Sequence, residues 1–149
     1  MNKYKLIKNW ENKKFDTIID VRSPSEFAED HIVGAINCPV LFDLERDKVG
    51  KIYKKESTFK AKIIGSSLTA RNIANHIEEQ FFEQKGSWQP LIYCWRGGQR
   101  SKSFSIILSE VGWRTYQLKG GYKEYRNSVI KFIEKIGSKL KIVLISGKT

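Results

Sequence analysis

The stretch "LIYCWRGGQRSKSF" (residues 91–104) joins a short apolar run to a glycine-rich, basic loop. The run 91–94 has the length and composition of a buried strand. Residues 95–100 form a loop, and a helix is predicted over 101–112, ended by Gly112. Strand, loop and helix in this order are typical of α/β proteins, whose ligands bind at the carboxyl ends of the strands.

The loop has the features that stabilise a negative charge at Cys94. Gly97 and Gly98 let the backbone curl so that several N–H groups point inward, and the following helix adds the positive end of its dipole. Thiolate is favoured over thiol, so Cys94 is the predicted catalytic nucleophile. The alternative is a structural cysteine beside an ordinary turn. The predicted anion-binding or substrate-binding residues are Trp95, Arg96, Gly97, Gly98, Gln99 and Arg100.

Two enzyme chemistries fit the spacing of Cys94 and Arg100. This C-x5-R pattern is found in cysteine-dependent phosphatases and also in rhodanese sulfurtransferases. The anion delivered to sulfur is phosphate in the first case, and thiosulfate, a persulfide or selenophosphate in the second. Arg100 has a structural alternative as a helix-start residue that bonds the sheet, and Trp95 has one as a packing aromatic.

The remaining periodicity alternates strands with helices, which predicts an α/β fold with a mainly parallel sheet. A helix at 22–31 has a capping box, with Ser23 as N-cap and Glu26 three residues later. The segment 41–62 is helical in spacing, with a break expected at Gly50. Other predicted helices span 66–85 and 122–137, and other predicted strands span 15–21, 34–40, 113–118 and 141–146.

Composition limits the function classes. The 149 residues predict one domain, and no apolar run approaches the length of a membrane helix. The polar, basic N-terminus does not resemble a secretory signal, so a cytoplasmic protein is expected. The two cysteines and two histidines lack metal-site spacing, and no metal is expected. The net charge of +11 permits nucleic-acid binding, most of all from Lys119 to Thr149, where the net charge is +6. A soluble basic surface is the alternative.

Two further motifs resemble the rhodanese family. "DVRSPSEFAEDHIVGAINCPV" (20–40) is similar to its Asp-Val-Arg, acidic helix and His-Ile-x-Gly-Ala pattern, and "LKGGYKEY" (118–125) to its Gly-Gly ending. Asp30 and Val33 depart from the family's usual glycine and proline. The resemblance implies a rhodanese-like domain over 1–137. In that domain Asp20 and Arg22 are expected to form a supporting structural pair near the loop, His31 to be structural and Cys38 to be a core residue.

The loop "CWRGGQRS" (94–101) and an insertion at about 42–85 resemble the tRNA 2-selenouridine synthases more narrowly. In that family a rhodanese domain precedes a P-loop domain. Residues 138–149, ending "KIVLISGKT", are therefore interpreted as a linker and the first strand of a truncated P-loop domain. The P-loop domain itself is the expected missing C-terminal partner.

The resemblance implies a transferase that converts wobble 2-thiouridine in tRNA to 2-selenouridine. Cys94 would carry selenium or sulfur. No bound cofactor is expected; selenophosphate and geranyl diphosphate are co-substrates, and a geranylated intermediate is made. tRNA and a selenophosphate-supplying enzyme are the implied partners. The alternatives are a stand-alone thiosulfate rhodanese, a cysteine phosphatase and a non-catalytic rhodanese-like binding module.

Overall fold

A five-stranded parallel sheet organises the chain. The computed structural model describes residues 4–137, 139–141, 143 and 145–147. The strands are β1 (Lys5–Ile7), β2 (Thr17–Asp20), β3 (Ala35–Asn37), β4 (Pro90–Tyr93) and β5 (Tyr116–Leu118). Their order across the sheet is β1-β5-β4-β2-β3, and every pair is parallel. The predicted α/β class with a parallel sheet is confirmed.

Five helices flank the sheet. They are α1 (Pro24–Glu29), α2 (Asp43–Lys55), α3 (Thr58–His76), α4 (Gln99–Val111) and α5 (Gly121–Gly137). A 3-10 turn at Trp10–Asn12 and a π-helical turn at Ile77–Phe81 complete the helical structure of the described residues. None of these helices is long and apolar enough to cross a membrane.

Both faces of the sheet are buried, because successive strand side chains point to opposite sides. Ile92 of β4 is fully buried on the face covered by α4, where Phe104 and Leu108 pack. Its neighbours Leu91 and Tyr93 are equally buried on the other face. The central strand β4 is therefore held on both sides, and the residue that follows it has a fixed position.

The helix boundaries between β3 and β4 differ from the sequence-based expectation. The chain passes through Gly50 without a break, and α2 ends instead at Lys55. α3 then starts at Thr58, eight residues before the predicted start, with Ser57 accepting a hydrogen bond from the Lys60 amide at 3.3 Å. A helical glycine costs only about 0.5–1 kcal/mol, and packing of α2 on α3 outweighs that cost.

The other ends shift by smaller amounts, and one strand was not foreseen. β1 is too short to show a period of two, so the sequence did not reveal it. α4 starts two residues before its predicted start, and Gly112 ends it with φ +107°. The predicted strand 141–146 includes residues 142 and 144, which lie outside the described part. Its described residues carry no strand.

The start of α5 lies against the loop after β4 with no room for a side chain. Gly121 has φ +60°, and a Cβ there would overlap the Cys94 carbonyl oxygen and lie 2.6 Å from the Gly97 nitrogen. The amide of Tyr122 donates to the Cys94 oxygen at 2.9 Å, and that of Lys123 donates to the Trp95 oxygen at 3.0 Å. These amides are first-turn donors without a partner inside α5, so the helix start is bonded to the loop.

We expect Gly121→Ala to lower the free energy of unfolding by about 3 kcal/mol or more, because strain at positive φ adds to a backbone overlap. Gly50→Ala is the control, since nothing lies within 4 Å of a Cβ at that helical position. It should raise the free energy of unfolding by about 0.5–1 kcal/mol. Urea unfolding of the two variants checks both signs. Equal stability of Gly121→Ala and wild type would contradict the close approach.

Candidate active site

Cys94 directly follows β4, and its thiol group is buried under the loop. Its residue is 3% exposed, and its Sγ accepts a hydrogen bond from the Gly98 amide at 3.2 Å. The hydroxyl of Ser101 lies 3.2 Å from the same sulfur. The sulfur therefore faces a backbone N–H and a hydroxyl, both of which can donate to a thiolate.

The loop curls as the two glycines predict, but only Gly97 requires glycine. Gly97 has φ +68°, and a Cβ there would lie 2.7 Å from the Leu118 oxygen. Gly98 has φ −91° and precedes the first residue of α4. The helix therefore begins immediately after the loop, so its positive end lies beside the sulfur.

The supporting pair of Asp20 and Arg22 exists and is fully buried. Arg22 Nη2 donates to Asp20 Oδ2 at 2.7 Å, and both Nε and the backbone amide of Arg22 donate to Oδ1. Burial alone lowers the pKa of Arg22, but the hydrogen bond and charge of Asp20 outweigh it and raise that pKa above its usual value. Arg22 also donates to the backbone carbonyl oxygen of Asp30, and its guanidinium carbon lies 4.1 Å from the centroid of the Tyr122 ring. The positive charge of Arg22 is therefore neutralised by Asp20 within the fold.

The two loop arginines differ in their partners. Arg100 is ion-paired with Glu26 of α1, at 2.7 Å between Nη1 and Oε2. Glu26 also caps α1 through the Ser23 amide and lies 3.5 Å from Arg46. Arg96 is exposed and has no ion-pair partner within the described residues. Sequence reasoning assigned both arginines to the anion, whereas the structure leaves Arg96 as the unpaired charge and Arg100 as part of a bridge to α1.

Trp95 and Gln99 complete the predicted loop set. Trp95 is half-buried, with its ring centroid 5.4 Å from that of Tyr122. It lines a polar cavity of about 300 Å³ together with Glu29 and Arg126. Gln99 is exposed at the start of α4 and lines a separate, apolar cavity. The loop therefore lies between two cavities of opposite character.

Comparison with known families agrees with this arrangement of strand, cysteine loop and helix. The rhodanese-like domain profile matches residues 3–128. The chain belongs to the rhodanese-like domain family. Crystallography of the N-terminal domain of a candidate ATP/GTP binding protein from Clostridium difficile 630 shows a similar structure, with a TM-score of 0.72 and 36% identity, covering 85% of this chain and 99% of that one.

Two of the curated relatives that match carry the same name. The chain is 35% identical over 140 residues to the tRNA 2-selenouridine synthase of Bdellovibrio bacteriovorus, and 36% identical over 135 residues to that of Psychromonas ingrahamii. Each match covers 89% of this chain but only 35% and 36% of the relatives. The resemblance to the tRNA 2-selenouridine synthases is confirmed, and the chain spans about a third of their length.

Other titratable groups of the rhodanese-like domain are structural. His31 Nδ1 donates to the Phe27 oxygen at 2.8 Å, and its ring stacks on Phe27 at 3.8 Å. Burial, with a smaller effect of the Asp20 charge, raises the pKa of Cys38 to about 12. Because the thiolate is the nucleophile, Cys38 is a core thiol with little reactivity at neutral pH. Among the described residues, no cluster of His, Cys, Asp and Glu could hold a metal ion.

Sequence reasoning missed three residues that complete the site. Glu26 was assigned only to the capping box, and its bridge to Arg100 joins segments far apart in the chain. Ser101 follows Arg100 directly, but only the turn of α4 brings its hydroxyl to the sulfur. Gln117 of β5 lies beneath the loop and donates to Gly97. A polar residue inside an apolar strand is the signal that could have identified Gln117.

Replacing Glu26 by Gln tests the bridge to Arg100 through its pH dependence. Burial alone raises the pKa of Glu26, but the hydrogen bond and charge of Arg100 lower it below its usual 4.5. The carboxylate therefore stabilises the fold above the unfolded pKa, and this contribution is lost as the pH falls through the folded pKa. Near pH 7 the variant should be on the order of 1–2 kcal/mol less stable than wild type.

Below the folded pKa of Glu26 this difference in the free energy of unfolding should shrink toward zero. Urea unfolding near pH 7 and near pH 3 measures it. The control is Glu29→Gln on the same helix, which removes a carboxylate at an exposed position and leaves the bridge intact. A Glu26→Gln effect that is the same at both pH values would contradict the bridge.

Proposed function

We propose that this rhodanese-like domain carries the chalcogen in a transferase of the tRNA 2-selenouridine synthase type. The observation that supports the proposal most directly is the position of the Cys94 sulfur, which faces the Gly98 amide and the Ser101 hydroxyl. This arrangement stabilises a thiolate or a persulfide without an adjacent general base. The matching relatives bear the name of that enzyme.

The first step forms a new bond at Cys94. With thiosulfate, the thiolate attacks the outer sulfur, an S–S bond forms, and the bond to the sulfonate group breaks with its electron pair leaving on sulfite. With selenophosphate, the equivalent step forms a sulfur–selenium bond and breaks the selenium–phosphorus bond, with phosphorus leaving as phosphite. The loop amides and the start of α4 would hold either dianion, and Arg96, which is exposed on the same loop, would add a positive charge.

The acceptor that we propose is the wobble 2-thiouridine of a tRNA in its S-geranylated form. The Cys94 perselenide would attack C2, and the C2–S bond would break with geranylthiolate leaving. An external thiol would then attack the Cys94 sulfur, so that a mixed disulfide forms, the S–Se bond breaks and selenium stays on C2. The exposed basic residues on and before α5 support binding of a phosphate backbone. They are Lys119, Lys123, Arg126 and Lys131. Trp95 would offer a ring for a base to stack on. Binding of geranyl diphosphate and the rest of the reaction would belong to the other two-thirds of a full-length enzyme, in its P-loop domain.

An apolar cavity beside the loop supports a geranylated substrate. It has a volume of about 420 Å³ and lies between the helices α2, α3 and α4. Val49, Ala70 and Ile106 supply apolar lining, and Arg100 lies at the edge nearest the loop. Cavities of this size with mostly apolar walls bind hydrocarbon groups. The geranyl chain on sulfur would enter this cavity while C2 of the base lies at the loop.

A plain thiosulfate rhodanese is the second candidate, since membership of the rhodanese-like family favours it equally. It differs in its acceptor, which would be a small thiol and not tRNA. A phosphatase would give a phosphocysteine, and a binding module would give no covalent adduct. The phosphatase and the binding module therefore differ in adduct mass from a chalcogen carrier, whereas the two chalcogen carriers differ only in whether tRNA or a small thiol accepts the group.

Intact-mass spectrometry after exposure to each donor tests the proposed function. Wild type should gain the mass of one selenium from selenophosphate and of one sulfur from thiosulfate, with phosphite and sulfite released. Cys94→Ser should gain neither, and Cys38→Ser should behave as wild type because burial raises the pKa of the Cys38 thiol to about 12 and keeps it protonated. Wild type that stays unmodified with both donors would overturn Cys94 as a carrier.

Filling the apolar cavity should weaken the binding of a geranylated substrate and leave the binding of the substrate without the geranyl group unchanged. Ala70→Phe places a ring in the cavity, and Ala74→Phe places one at an exposed position one turn further along α3, outside the cavity. Affinity for an anticodon oligonucleotide with geranylated 2-thiouridine should fall at least tenfold in Ala70→Phe and stay unchanged in Ala74→Phe. Wild type that binds the geranylated and plain oligonucleotides equally would exclude this cavity as the geranyl site.

A further inference from the structure

Gln117 is a polar side chain in the middle of the sheet. Its residue on β5 pairs with Leu6 of β1 on one side and Ile92 of β4 on the other, and it is 2% exposed. An amide costs free energy when it is buried unless it is hydrogen-bonded. The contacts of this amide lie at the catalytic loop and not within the sheet.

Both hydrogen bonds from the Gln117 amide nitrogen go to the site. Nε2 donates to the Gly97 oxygen at 2.9 Å and to Ser101 Oγ at 2.9 Å. A backbone carbonyl can only accept, so the nitrogen, and not the oxygen, of the side chain must face Gly97. One side chain therefore links the bend of the loop to the first turn of α4.

The hydrogen bond from Gln117 limits the groups to which the Ser101 hydroxyl can donate its hydrogen. Ser101 is fully buried, and it accepts from Gln117 with one lone pair. Its single hydrogen has two acceptors at equal distance, the Gly98 oxygen at 3.2 Å and the Cys94 sulfur at 3.2 Å. With a neutral thiol, the sulfur donates to Ser101 and the hydroxyl donates to Gly98. With a thiolate, the hydroxyl turns and donates to the sulfur.

We propose that Gln117 is a positioning residue that acts on Cys94 through Ser101. Gln117 occupies one lone pair of Ser101 Oγ and fixes the position of that oxygen. The hydroxyl hydrogen then turns toward the Cys94 sulfur when the sulfur is negatively charged. The thiolate then has two donors, Ser101 and the Gly98 amide, and no cation among the described residues is hydrogen-bonded to it. The role of Gln117 deepens the proposed function and rests on it only in that the Cys94 sulfur is taken to carry the chalcogen. The reactivity of Cys94 itself can be measured without any chalcogen donor.

The pH profile of Cys94 alkylation is the main measurement. Gln117→Met keeps the length of the side chain and removes both donors. We expect its rate of reaction with iodoacetamide near neutral pH to fall about tenfold, and the midpoint of the profile to rise by up to about one pH unit. Peptide mapping separates Cys94 from Cys38, and thermal unfolding verifies that the variant is folded.

The charged residues around the loop are the same in wild type and in Gln117→Met. On the loop itself they are Arg96 and Arg100, and on the neighbouring elements they are Glu26 of α1, Asp20 and Arg22 at the end of β2, and Lys119 and Glu124 near the start of α5. A shift between wild type and Gln117→Met therefore reports the lost hydrogen bonds and not a lost charge.

A double-mutant cycle with Ser101→Ala separates positioning from a general loss of structure. In the Ser101→Ala background, Gln117→Met should change the alkylation rate by less than twofold. Ser105→Ala is the matched control. Ser105 lies one turn further along α4, is fully buried, and its hydroxyl has no hydrogen-bond partner among the described residues, so its loss should leave the rate unchanged.

Two results would overturn the proposal. One is a Gln117→Met profile that matches wild type. The other is a Gln117→Met effect of full size in the Ser101→Ala background, which would show that Gln117 acts without Ser101. Failure of wild type to take up sulfur or selenium would count against the proposed function alone, since the alkylation profile would still decide the role of Gln117.

Discussion

The close backbone contact between the loop after β4 and the turn before α5 is the constraint on which the site depends. Gly97 and Gly121 both adopt positive φ, and a side chain on either would overlap backbone atoms of the other segment. Because of this approach, the first amides of α5 bond to the Cys94 and Trp95 carbonyls. The loop is held from behind by backbone atoms, so its own amide and hydroxyl donors remain available to the sulfur.

The arginines near the sulfur do not form a simple cluster of unpaired positive charges. Arg22 is buried with Asp20, and Arg100 is paired with Glu26. The Arg100–Glu26 pair joins the loop to α1, whereas Arg22 pairs with a carboxylate two residues away and reaches the end of α1 only through the Asp30 carbonyl oxygen. Each guanidinium is hydrogen-bonded to its carboxylate, which makes these strong contacts. The hydrogen-bonding groups at the sulfur are therefore neutral, namely the Gly98 amide and the Ser101 hydroxyl, and Arg96 is exposed on the loop.

The helical segment between β3 and β4 gives this rhodanese-like domain a second surface near the loop. Packing of α2 on α3, and of α3 on α4, leaves an apolar cavity that reaches Gln99 and Arg100. On the other side of the loop, Trp95 lines a polar cavity. A substrate that combines a nucleobase with a hydrocarbon chain would match this division, because each cavity suits one of its parts.

The sequence by itself determined the α/β class, the capping box of Ser23 and Glu26, the stop at Gly112 and the position of Cys94 after a buried strand. These depend on local periodicity and on residues a few positions apart. It misplaced the break at Gly50, because the packing of α2 on α3 outweighs the small cost of one glycine. Only the tertiary structure decided that Arg100 pairs with Glu26 and that Gln117 bonds to Gly97 and Ser101. These contacts join residues 16 to 74 positions apart, and such partners are fixed by strand order and helix packing and not by any local pattern.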